Sequence, residues 1–185
     1  MGCEGGKIDG DALLRRLLDA HEGYYDVVRG YEFAGRAFPG YAEFHSHGEK
    51  YVLSKKAKLW EVDAHEYLFF DIAPCVDRAY LEELIAFMTG PVLGKVEPKP
   101  DHMTSYLSAV VIADCTDGAV PQLVRRARFR KNFMLGLRGW ADLRLAVIDL
   151  QEYNVYTNGQ GKQMRGVLEA NLAKAAAAAG DGKGE

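Results

Sequence analysis

The chain has 185 residues, of which 48% are hydrophobic, 26% charged and 11% aromatic. That length suits one domain with its own core, since domains run to about 100–200 residues, and the composition excludes collagen-like, coiled-coil and wholly disordered classes. The formal net charge of −3 excludes a histone-like, uniformly basic binder.

Taken in chain order, residues 1–10 read as a flexible N-terminus with no apolar stretch of the signal-peptide kind. Asp11 then reads as the N-cap of a first helix. Leu13, Leu14, Leu17, Leu18, His21, Tyr24, Tyr25 and Val28 recur on one face, and Gly30 stops it. On that face His21 reads as a buried histidine bonded to backbone. A three-strand meander follows: Tyr41–His47, a long strand Lys50–Val62, and Tyr67–Ile72. The third is apolar on both faces, which places it centrally in the sheet. Asp77 caps a second helix with Tyr80, Leu81, Leu84, Ile85 and Met88 inward, ended by Gly90-Pro91. Val92–Asp101, with Pro98 and Pro100, is a loop, and Tyr106–Asp114 is a fourth strand with a core of Val110-Val111-Ile112.

Thr116 or Asp117 caps a third helix whose inner face is Ala119, Val120, Leu123, Val124 and Ala127. Leu143–Leu150 and Tyr153–Thr157 are the next strands. Asn158 or Gly159 opens the last helix, with Met164, Val167, Leu168 and Leu172 inward. Beyond Ala175 the tail offers little to bury, so residues 176–185 are expected to be disordered. The order α-β-β-β-α-β-α-β-β-α, with no repeat, predicts one α+β domain over residues 11–175, a mixed sheet with helices packed on it.

Cys3, Cys75 and Cys115 are widely spaced, so neither a disulfide framework nor a structural zinc site is expected, and a reducing cytoplasm fits. No apolar run approaches the roughly 18–20 residues of a membrane span, so no membrane partner is expected.

Three segments carry a resemblance: Glu49 to Trp60 (EKYVLSKKAKLW), Arg128-Phe129-Arg130-Lys131, and Leu137-Arg138-Gly139-Trp140. They are similar to a small family of uncharacterised prokaryotic proteins, a domain of unknown function common in anaerobic bacteria. The similarity covers about Tyr24 to Leu168. It implies a self-standing intracellular domain and brings no activity, cofactor or site. Asp11–Asp114 also resembles the restriction-endonuclease-like core in its α-β-β-β-α-β order. Such nucleases hold divalent cations with an acid on the second strand and acid-x-Lys on the third. Here the third strand offers Glu66-Tyr67-Leu68, and the Glu-x-Lys motif Glu97-Pro98-Lys99 lies in a proline-rich loop, so the resemblance does not extend to the chemistry.

The strongest charge feature is Gly118–Arg144, with seven basic residues against one acid, Asp142. Arg125, Arg126, Arg128, Arg130, Lys131 and Arg138, with Arg144, are interleaved with Phe129, Phe133 and Trp140. Guanidinium groups make planar, bidentate contacts to phosphate and carboxylate, so the segment predicts a surface for nucleic acid or a phosphorylated ligand. The bland alternative is a solvated helix face with the aromatics in the core. Lys55, Lys56 and Lys58 form a second cluster on the long strand, equally explained as edge-strand lysines.

Glu43, His45 and His47 alternate along a strand and share one face. Two imidazoles and a carboxylate there can serve one zinc, iron or copper ion, with His65, His102, Asp101 or Cys115 completing the set. The alternative is an exposed polar strand face. Cys115, just before a helix, is a candidate thiolate or simply a small buried residue. No nucleophile elbow, Walker loop or dinucleotide fingerprint occurs. Three functions follow: a non-enzymatic cytoplasmic domain binding an anionic partner, a metal-dependent hydrolase of degenerate nuclease type, or a homo-oligomeric interaction module.

Overall fold

A computed structural model describes residues 8–45, 64–98 and 104–181. The elements are α1 (Gly10–His21), β1 (Asp26–Phe33), β2 (Arg36–His45), β3 (Ala64–Val76), α2 (Arg78–Thr89), β4 (Thr104–Thr116), α3 (Val120–Arg126), β5 (Arg130–Asn132), β6 (Trp140–Asp149), β7 (Asn154–Thr157) and α4 (Lys162–Asp181). The seven strands make one mixed sheet in the order β1-β2-β3-β4-β6-β5, with β7 also on β6. The strands β1, β2 and β3 are antiparallel neighbours, whereas β3, β4 and β6 run parallel. Parallel neighbours need crossovers, and α2 and α3 supply them.

Each helical layer buries one stripe. Leu81, Leu84 and Met88 of α2 and Val120 and Val124 of α3 lie with Phe69, Val111 and Val147 on one face of the sheet. Leu13, Leu14, Leu17 and Leu18 of α1 and Leu168 and Leu172 of α4 lie with Phe70, Val110 and Ile112 on the other. The result is one α+β domain in three layers, helices on both faces. Each buried leucine of α1 contributes about 2 kcal/mol by removal from water. As expected, β3 lies centrally, here beside β4, and Asp77 caps α2 by accepting from the Tyr80 N–H at 2.8 Å.

Several boundaries differ from expectation. The cap of α1 is Asp9, which accepts from Asp11 N–H, and the helix ends at His21, so Tyr24, Tyr25 and Val28 are not helical. Asp26–Phe33 instead pairs with β2 through the two-residue turn Ala34-Gly35, whose φ values of 49° and 78° suit a hairpin with right-handed strand twist. The expected strand Tyr41–His47 is the second half of β2. Lys50–Val62, with Lys55, Lys56 and Lys58, lies outside the described residues. Asp117 accepts from Ala119 N–H, but α3 starts only at Val120. Within the expected loop Val92–Asp101, Val92–Lys95 forms a 3-10 turn. The edge strand β5 has no counterpart among the expected strands. The reach of α4 is also longer than expected. It continues to Asp181 because Ala175 is buried, and Ala176 and Ala179 half-buried, against the α1 side of the core. Against the expectation for the cysteines, Cys75 and Cys115 lie opposite one another on β3 and β4, Cα atoms 4.7 Å apart, joined as a disulfide.

Candidate functional site

The basic segment folds into unlike pieces. Arg125 and Arg126 occupy the last turn of α3 and are exposed, as are Arg128, Lys131 and Arg138. Arg130 sits on the edge strand β5 and makes a two-pronged contact to Asp142, Nε to Oδ1 at 2.7 Å and Nη2 to Oδ2 at 2.6 Å, with its guanidinium 5.3 Å from the Trp140 ring centre. Its charge is thus largely matched. Phe129 and Phe133 sit half-buried against the core on the α2 and α3 side. Arg144 is buried and belongs to a different cluster, below.

Arg125 is the member of the segment that meets other cations. It lines a cavity of about 340 Å³ with Lys162 and Arg165 of α4 and with Asn154, Tyr156 and Thr157 of β7. Asn158, between β7 and α4, fixes this meeting. Its Oδ1 accepts from Leu145 N–H (3.0 Å) and Gly161 N–H (2.8 Å), and its Nδ2 donates to Leu143 O (2.9 Å) and Ala127 O (3.2 Å). One buried amide therefore joins the exit of α3, strand β6 and the entry of α4. Arg165 also pairs with Glu169 one turn on, at 2.6 Å, an exposed bridge worth about 0.3–0.5 kcal/mol. In the sequence the signal was Asn158-Gly159-Gln160-Gly161-Lys162, a glycine-rich turn ending in a cation, which matches no familiar phosphate loop.

The metal candidates fold into a hydrogen-bonded chain. His45 Nε2 contacts Glu43 Oε1 at 2.7 Å, and His45 Nδ1 contacts Nδ1 of His65, its partner across β2 and β3, at 2.7 Å. The other Glu43 oxygen accepts from Tyr41 OH at 2.5 Å and lies 3.9 Å from Lys95 Nζ. The Lys95 ammonium sits among four rings, 5.6 Å from Tyr31, 5.1 Å from Phe33, 5.1 Å from Tyr41 and 5.4 Å from Tyr67. His47, Asp101 and His102 lie outside the described residues. Among the described residues no three His, Cys, Asp or Glu side chains are grouped to hold a metal ion.

A further cluster went unread in the sequence. On the α1 and α4 face the register lines up Phe44, Glu66, Tyr106, Asp142 and Arg130 across five strands, with Ala42, Leu68, Ser108 and Arg144 in the next row. Glu66 is 6% exposed and Arg144 7%. Glu66 accepts from Tyr25 OH (2.7 Å), Ser108 OH and Arg144 Nη1 (3.2 Å). Arg144 Nη2 donates to Gln163 (2.9 Å), and the guanidinium carbon lies 3.2 Å from the Tyr106 ring centre. Its Nε has no hydrogen-bond acceptor among the described residues. Two adjoining cavities of about 370 and 350 Å³, both bounded by Tyr24, Tyr25 and Glu66, open over this floor. His21, on the wall of the second, contacts Leu17 O at 2.6 Å through Nδ1, the backbone role expected of it.

Four phenols are held neutral by their surroundings. Burial, and then Glu43, push Tyr67 up to about 12. Burial and a neighbouring carboxylate push Tyr25 (Glu66), Tyr41 (Glu43) and Tyr80 (Asp71) higher still. The unfolded phenol ionises near about pH 10. These groups therefore leave stability intact below that pH and withdraw it as the pH rises toward the folded values. Ultraviolet titration should show the Tyr25, Tyr41 and Tyr80 phenols ionising only as the protein unfolds. All ten tyrosines ionising together in the folded protein would contradict the assignment.

A single mixed-sheet α+β domain with a cationic cavity beside its last helix and a buried ion pair beneath an aromatic cleft is the class these features define. The chain belongs to a family described as a domain of unknown function (DUF8052), whose model matches residues 9–170. No curated protein and no solved structure matches the chain.

Proposed function

We propose that this domain binds an anionic partner, a nucleic acid or a phosphorylated ligand, and that a phosphate of that partner sits between Arg125, Lys162 and Arg165. The observation that carries the reading is the convergence of these three cations, from two helices, on one cavity. Arg165 is partly matched by Glu169, and the hydrogen bond from Gly161 to Asn158 beneath them sets their spacing. Guanidinium and ammonium groups so placed offer directed donors to phosphate oxygens. Arg126 and Arg128, exposed nearby in sequence, extend the positive surface.

The enzymatic alternative has less support. It rests on the α-β-β-β-α-β order read from the sequence, and Glu66 on β3, the acid it would need, is already occupied by Arg144, Tyr25 and Ser108. The residue two positions after it is Leu68, not lysine.

Fluorescence anisotropy with labelled single-stranded DNA, duplex DNA and RNA across a salt series tests the proposal. Binding should weaken steeply with salt. An Arg125→Ala/Lys162→Ala/Arg165→Ala variant should lose affinity at least about tenfold and flatten the logarithmic salt slope by about 2–3. Absence of binding at low salt to these polymers and to inorganic phosphate, followed by thermal shift, would overturn it.

A further inference from the structure

Residues 133–139, between β5 and β6, carry apolar side chains on the outside of the protein. Leu135 is 100% exposed, Leu137 80% and Met134 59%. The backbone beneath them is in the left-handed region: φ is 47° at Met134, 56° at Leu135, 90° at Gly136 and 74° at Gly139. Long L side chains seldom adopt that conformation, and two in succession are strained. Five backbone hydrogen bonds hold the loop in it. Phe133 N–H donates to Gly139 O (2.9 Å), Gly136 N–H to Phe133 O (3.0 Å), Leu137 N–H to Met134 O (3.1 Å), Arg138 N–H to Phe133 O (3.2 Å) and Gly139 N–H to Gly136 O (3.2 Å). The loop therefore satisfies much of its own backbone, which a segment entering an apolar medium requires.

Its flanking sequence is cationic. Arg128, Lys131 and Arg138 are exposed on either side, Arg138 Nη1 donating to Pro98 O at 3.5 Å, Arg130 is matched by Asp142, and no acidic residue occurs in the sequence between Asp117 and Asp142. Trp140, directly after the loop, is half-buried beneath the Arg130 guanidinium. Tryptophan is the residue type that settles at the boundary between headgroups and acyl chains.

We propose that this loop docks the protein on an anionic phospholipid bilayer, with Met134, Leu135 and Leu137 entering the headgroup region and Arg128, Lys131 and Arg138 meeting lipid phosphates. Charge complementarity selects an anionic leaflet, and the aliphatic tip selects lipid over nucleic acid, whose bases are gripped by aromatic rings. A protein partner, including a second copy of this chain, needs a complementary patch of roughly 800 Å² on each side, which one convex loop does not offer. A bilayer yields around such a tip. The contact is peripheral: no helix among the described residues is long and apolar enough to cross a membrane. It revises the expectation of no membrane partner, which addressed spanning segments. It shares no residue with the lining of the Arg125 cavity, although Arg128 flanks both surfaces, so the Leu135 and the Arg125/Lys162/Arg165 variants tell the two proposals apart.

Co-sedimentation with vesicles of phosphatidylcholine, with and without phosphatidylglycerol, is the test. The full chain should sediment with the mixed vesicles only, less so as salt rises. Leu135→Gly removes the side chain and the strain together. That variant should melt no lower than the parent, yet partition at least about tenfold more weakly, as expected for losing one buried leucine. Arg128→Gln/Lys131→Gln/Arg138→Gln should abolish the preference for phosphatidylglycerol, and Arg125→Ala/Lys162→Ala/Arg165→Ala should leave vesicle binding unchanged. No sedimentation at low salt, or sedimentation indifferent to Leu135→Gly, would overturn the proposal. So would a dimer in sedimentation velocity, or DNA binding, that Leu135→Gly abolishes.

Discussion

Replacing Asn158 with alanine is expected to destabilise the domain by about 3–5 kcal/mol, because one truncation strands several buried backbone groups at once. A neutral amide has two acceptor sites and two donors, and Asn158, 1% exposed, uses all four on Ala127, Leu143, Leu145 and Gly161. Alanine leaves the Leu145 and Gly161 N–H groups and the Leu143 and Ala127 carbonyls without that partner. Asn158→Asp keeps the shape but removes both donors and buries a charge, so it should not rescue stability. Gly161→Ala is an independent probe of the same joint. An added Cβ would stand 2.8 Å from Leu145 O and 2.8 Å from Asn158 Oδ1, closer than real contacts allow. Overpacking of this kind costs about 1–3 kcal/mol. Urea unfolding measures both, and a cost below about 1 kcal/mol for Asn158→Ala would show that the bonds are replaceable by water. Because the joint also holds Lys162 and Arg165 opposite Arg125, any variant that stays folded should bind anions more weakly than its stability loss alone explains.

The sequence showed the parts of this design whose physics is local. Asp77 with Gly90-Pro91 bracketed α2 because caps and breakers act within a few residues. Val110-Val111-Ile112 announced a strand covered on both faces. Apolar spacing alone overextends the first helix, because Tyr24, Tyr25 and Val28 continue it, although Gly23 and the two-residue turn at Ala34-Gly35 commit that stretch to a hairpin. The three residues of β5, Arg130-Lys131-Asn132, are all exposed and carry no alternation to read. Arg125 could be read as a candidate from its neighbours. Its partners Lys162 and Arg165 could not, since only the register of β7 on β6 and the turn at Asn158 bring them to it. The Glu66 and Arg144 pair, separated by 78 residues, leaves no local trace, and Arg144 looks in the sequence like one more member of a basic run.

That pair predicts the other large effect. Arg144→Met should destabilise the domain by about 3–5 kcal/mol, because it leaves the Glu66 carboxylate buried with only the Tyr25 and Ser108 hydroxyls as donors. Glu66→Gln should cost a similar amount, through a guanidinium without its counter-charge beneath the Tyr106 ring. The double variant, which removes both charges, should be less destabilised than the sum of the two by about 2–3 kcal/mol, since removing one charge of a buried pair is worse than removing both. A urea double-mutant cycle measures the coupling, and additive single effects would mean that water already reaches the pair. The same cycle bears on why charge lies under an aromatic cleft at all. If a Glu66→Gln/Arg144→Met protein is as stable as the parent, the pair is not needed to hold β3, β4 and β6 together. Its retention then points to the cleft bounded by Tyr24 and Tyr25, where a fixed charge beneath an apolar wall would orient whatever enters.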